Sequence, residues 1–86
     1  MSIRITTIPD SETTVIKIDG RLTQDDTGEL VRIFRTVEGR AALDLTELQS
    51  VDRTSVVLLR DSIAAGMELR AASRYLELLL KRGTTL

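Results

Sequence analysis

The 86 residues predict a single α/β domain, 1–86, built as a mixed sheet of about four strands with about three helices packed on it, in the order ββαβαβα. Three observations carry that prediction. Apolar residues alternate with polar ones near the N-terminus, then recur at helical spacing, then alternate between the two habits. Glycines at 20, 39, 66 and 83 fall where periodic segments end. The chain is also long enough for one core and too short for two.

Ile3, Ile5 and Ile8 alternate with polar residues, as a half-buried strand does. Pro9-Asp10-Ser11 reads as a turn. TVIKID, residues 14–19, alternates again and closes an antiparallel hairpin, with Gly20 as its end. Thr23, Asp25 and Asp26 can each cap the helix that follows. Leu30, Ile33, Phe34 and Val37 share one face of that helix, and Gly39 stops it. AALDL, residues 41–45, reads as a buried strand, with Asp44 at its end capping nearby amides because a carboxylate is costly to bury unbonded.

Residues 46–53 are expected to form a loop, followed by a helix over Val56–Ala65 that Gly66 ends. Met67–Ala71 reads as the last strand. Ser73 then caps a helix over Arg74–Arg82, with Lys81 and Arg82 suited to its C-terminal dipole and Gly83 as its stop. Tyr75, Leu76, Leu78, Leu79 and Leu80 wrap too far around that helix to face one sheet. Part of this surface is expected to pack on another chain, a second copy included, or on a neighbouring helix.

Composition excludes several functions. Twelve basic residues stand against thirteen acidic ones, for a net charge of −1, and one Phe and one Tyr supply no set of stacking aromatics. A nucleic-acid partner is therefore not expected. There is no Cys and no His, which removes disulfides, zinc ligation by those residues and nucleophiles activated by histidine. No catalytic residue, metal or cofactor is expected. The first residues lack the long apolar stretch of a leader and no apolar run is long enough for membrane insertion, so the expected location is cytoplasmic.

VDRTSVV, residues 51–57, concentrates polar chemistry at the junction of loop and helix. Asp52 or Thr54 can cap the helix by accepting from its first free amides. A phosphate on Thr54 or Ser55 would sit at the positive end of the helix dipole and raise the local negative charge by about two units.

VIKIDGRL, AALDLTELQSVDRTSVVLL and the MELRAA segment after Gly66 together resemble a STAS domain, the sulfate transporter and anti-sigma-factor antagonist family. The likeness covers nearly all of residues 3 to 82. Leu43-Asp44-Leu45-Thr46 matches the family's "LDLS" strand, and Asp52 matches the aspartate that closes its loop. Arg53 and Thr54 fall on two hydroxyl positions, and Ser55 on a glycine. The sequence departs from the pattern at Arg53, at Ser55-Val56 in place of Gly-Leu, and at Thr23 in place of an acidic residue.

The resemblance implies a non-enzymatic regulatory module that binds protein. In bacterial antagonists the second hydroxyl is phosphorylated by a partner serine/threonine kinase, and the unphosphorylated form binds that kinase and frees a sigma factor. That hydroxyl is Thr54 here, with Ser55 as the alternative. The partner surface would comprise Asp44, Asp52, Arg53, Thr54 and Ser55, and the partner would be an anti-sigma-factor kinase or a similar regulator. The second reading is a structural STAS subunit that supports the ATPase of an ABC-type lipid transporter, or joins a multi-STAS assembly, through the Leu-rich last helix.

Overall fold

The computed structural model describes residues 3–82. Two strands, β1 (Ile3–Asp10) and β2 (Thr13–Leu22), form the antiparallel hairpin. A short 3-10 turn (Gln24–Asp26) leads into α1 (Thr27–Thr36). Then come β3 (Arg40–Leu45), β4 (Leu48–Val51), α2 (Arg53–Ala64), β5 (Glu68–Ala72) and α3 (Arg74–Arg82). The sheet order is β1-β2-β3-β5, and β4 also pairs with β2. Every pairing except β1 with β2 is parallel.

Five strands stand where about four were expected, because part of the expected loop at 46–53 is β4. The first half of β2 pairs with β3, Thr13 with Arg40 through Lys17 with Asp44. Its last residues pair with β4, Gly20 with Leu48 and Leu22 with Val51. β3 and β4 thus lie one after the other along the same edge of β2, separated by Thr46 and Glu47. Asp44 makes the break. Its Oδ1 accepts from Thr46 N at 3.1 Å and from Thr46 Oγ1 at 2.8 Å, a local turn that competes with the ladder. The strand resumes with its register shifted. Leu48 and Val51 turn inward three residues apart, so β4 shows no alternation.

Other boundaries move for local reasons. β2 runs through Gly20 to Leu22, because Gly20 takes φ 99° at the point where β2 changes partner. Pro9 and Asp10 stay in β1, and Ser11 makes the turn at φ 61°. Pro9 is tolerated because β1 lies at the sheet edge. α2 starts at Arg53, three residues before the expected Val56. Ser73 Oγ accepts from Leu76 N at 3.2 Å, the expected cap of α3. The stop at Gly83 lies outside the described residues.

Ile16, Ile18, Leu43 and Leu45 of the sheet share one core with Leu30 of α1, Leu59 of α2, and Leu76 and Leu80 of α3. All three helices therefore feed the same side of the sheet. Each fully buried side chain of this kind contributes about 1.5–3 kcal/mol. Along β1 and β2 the opposite side carries Arg4, Thr6, Ile8 and Asp10 beside Asp19, Lys17, Val15 and Thr13. Arg70 of β5 donates to Asp10 of β1 at 2.6 Å, an ion pair between the two outer strands of the sheet.

Candidate functional site

The end of β2, the 3-10 turn and the start of α2 meet at Asp52. Its φ/ψ of −90°/177° is the extended geometry of an N-cap. One carboxylate oxygen accepts from Ser55 N at 2.9 Å. The other accepts from Gln24 N at 2.7 Å, across 28 positions of sequence. Asp52 N in turn donates to Leu22 O at 3.2 Å. One aspartate thus caps α2 and ties it to the chain leaving β2.

Both amides favour the charged carboxylate. The Asp52 pKa is lowered from the usual 3.8, first by the Ser55 hydroxyl and then by the Ser55 amide; burial opposes them, and the Gln24 amide adds a smaller lowering. The hydroxyl lies beside the carboxylate without completing a hydrogen bond: Ser55 Oγ is buried and has no partner among the described residues. The amide contact at 2.9 Å is the firmer anchor, since its geometry is that of a hydrogen bond. An unpartnered buried hydroxyl costs about 1–3 kcal/mol.

Thr54 and Ser55 therefore differ sharply. Thr54 is exposed, on the first turn of α2 beside exposed Arg53. Ser55 is 0 % exposed and faces the core side. A partner can reach the Thr54 hydroxyl without opening the fold, and cannot reach that of Ser55. On α2, Thr54, Val57, Asp61 and Ala64 recur at spacings of three and four and are all exposed, with Val57 at 44 %.

Asp44 does not join this cluster through any side-chain contact. Its carboxylate serves the Thr46 turn, and the Thr46 hydroxyl and amide lower its pKa from 3.8. Lys17 bonds Asp19 at 3.0 Å, which raises its own pKa.

On the other side of Asp52, Thr23 and Asp26 close the start of the 3-10 turn. Asp26 Oδ2 accepts from Thr23 N at 3.0 Å and from Thr23 Oγ1 at 3.2 Å, while Asp26 N donates to Thr23 O at 2.9 Å. Three residues recognisable as caps in the sequence were Thr23, Asp25 and Asp26, and two of them share this task. The Gln24 contact had no sequence signal, because it is made by a backbone amide. Among the described residues no group of His, Cys, Asp and Glu is arranged to hold a metal ion, and no helix is long and apolar enough to cross a membrane.

No family model matches the sequence, and no curated protein does either. Among solved structures, the chain is similar to the crystal structure of an antisigma-factor antagonist, a STAS domain from Rhodobacter sphaeroides. The match has a TM-score of 0.65 and covers 86 % of this chain and 89 % of that one, at 17 % identity. The expected fold is the observed one: this chain has the STAS fold.

Proposed function

We propose that this chain, having the STAS fold, is a regulatory module that acts by binding another protein, in the manner of an anti-sigma-factor antagonist, and that Thr54 is its switch. One observation carries the reading: of two adjacent hydroxyls at the start of α2, Thr54 is presented to solvent and Ser55 is enclosed. The likeness in fold to the Rhodobacter sphaeroides antagonist supports a regulatory module of this kind.

The switch is electrostatic. Arg53 gives the helix start a positive side chain, and the free amides of the first turn add the positive end of the dipole. Asp52 already occupies part of that field through the Ser55 amide. A phosphate on Thr54 would compete with the Asp52 carboxylate for the same donors and repel it, changing the surface a partner meets. The module needs no chemistry of its own: the modifying kinase and the docking partner are the regulators proposed from the resemblance. The supporting-subunit reading draws on a different surface, exposed Tyr75 and Leu78 of α3.

The test is capture of partners from the host with wild-type, Thr54→Ala and Thr54→Glu proteins. We expect Thr54→Ala to retain a protein partner that Thr54→Glu releases, a change of at least about tenfold in affinity, or about 1.4 kcal/mol. Equal capture by all three would rule out a switch at Thr54. Capture of an ATPase subunit that depends on Tyr75 and Leu78 would favour the second reading.

A further inference from the structure

Beside β1, on the helical side of the sheet, lies a cleft of about 330 Å³ that the Asp52–Thr54 surface does not use. Its floor is Ile3 and Ile5 of β1 and Ile33 of α1. All three are only half-buried, so the core leaves apolar surface open there. Its lip is Asp25, Asp26 and Glu29. Arg32, the only cation paired with this lip among the described residues, bonds Glu29. Asp26 is engaged with Thr23, and Asp25 has no ion pair among the described residues.

The strand that forms the floor is also an edge. β1 is eight residues long and, among the described residues, pairs only with β2, so its outer row of amides and carbonyls is open to a further strand. A strand laid along it would sit about 4.8 Å away and point alternate side chains toward α1. Those side chains would cross the isoleucine floor and reach the carboxylate lip. The other strands with an open side are shorter: β5 has five residues and β4 has four.

We infer that the β1 edge and this cleft dock an extended segment of a partner protein as an added strand, with apolar side chains over Ile3, Ile5 and Ile33 and basic ones at Asp25, Asp26 and Glu29. Main-chain bonds supply attachment, and the cleft supplies selectivity. Charge decides between this occupant and a second copy. Two copies joined edge to edge through β1 would be related by an axis normal to the sheet, which sets the two acidic lips at opposite ends of the joint ladder. Paired along its full length, a second copy would bring Thr7 and Pro9 of its β1, and no cation of that strand, to each lip, whereas Arg or Lys of a different partner complements it.

The test is titration of the ¹⁵N-labelled chain with the capped peptide RTRTVTVTVT, followed by amide shifts. We expect saturable shifts confined to Ile3–Asp10 and residues 25–33. They weaken at least about tenfold with the charge-reversed peptide ETETVTVTVT and with the Asp25→Lys/Glu29→Lys variant, whose changed side chains are exposed. They also weaken as salt rises from about 50 to about 500 mM. The inference fails if no saturation occurs by about 2 mM peptide, if the reversed peptide binds equally to wild-type protein, or if the shifts map to α2 and α3. It also fails if β1 shifts track protein concentration without peptide, which would make a second copy the occupant. None of these outcomes bears on Thr54.

Discussion

Asp52 is the residue on which the site depends, because its two oxygens serve two distant segments. The Ser55 amide belongs to the helix it caps, and the Gln24 amide belongs to the chain leaving β2. Asp44 performs a smaller version of the same task at the Thr46 turn. Both carboxyls titrate below 3.8 in the folded protein. A depressed folded pKa means the stabilisation is complete above the unfolded value and is lost as pH falls through the lower folded value. Stability should therefore hold from neutral pH down to about 4 and decline below it. Urea midpoints across that range measure this, and Asp52→Asn, which keeps the cap but cannot ionise, should flatten the decline. The cap was legible in VDRTSVV, down to Asp52 as one of two named candidates. The difference between Thr54 and Ser55 was not, since adjacent hydroxyls look alike until helix phase is known. Starting α2 at Arg53 rotates Ser55 inward and Thr54 outward.

At the level of elements, the hairpin, α1, β3 and α3 were readable because each has a clean period and a turn or cap residue at its ends. β4 was hidden because its inward residues, Leu48 and Val51, are three apart and follow a side-chain turn that interrupts the strand. That interruption has a partner on β2. Gly20 takes φ 99° and donates to Glu47 O at 3.1 Å where pairing passes from β3 to β4. A side chain at this φ is strained, so Gly20→Ala should destabilise the domain by about 1–2 kcal/mol. Denaturant unfolding checks it, and an unchanged midpoint would mean that the β2–β4 junction relaxes without Gly20. The same junction sets the path of β4 into Asp52, so this variant should also weaken any partner that reads the Thr54 surface.

The whole molecule is a single layer of sheet with all three helices feeding one core, which leaves two apolar exposures with different meanings. The sequence placed five large side chains of α3 on too wide an arc for one sheet. The structure divides them: Leu76 and Leu80 are in the core, Leu79 lies at its border, and Tyr75 and Leu78 are 58 % and 53 % exposed. Leu76→Ala should cost about 2–5 kcal/mol in stability, since it empties a fully buried site. Leu78→Ser should change stability by about 0.5 kcal/mol or less, because that side chain touches solvent. Thermal unfolding of the pair distinguishes core from surface on one helix. Only variants of the second kind can report on docking by α3 without also unfolding the protein.

The most direct measurement of the central claim is phosphosite mapping on the protein isolated from its own host under several stresses. Trypsin cuts after Arg53 and Arg60 to release TSVVLLR, in which fragment masses distinguish Thr54 from Ser55. The longer peptide uncut at Arg53 must be searched as well, because a phosphate beside that arginine hinders cleavage. Phosphate on Thr54, with Ser55 unmodified, is the predicted result. Complete coverage of both peptides with Thr54 unmodified in every condition would contradict the switch.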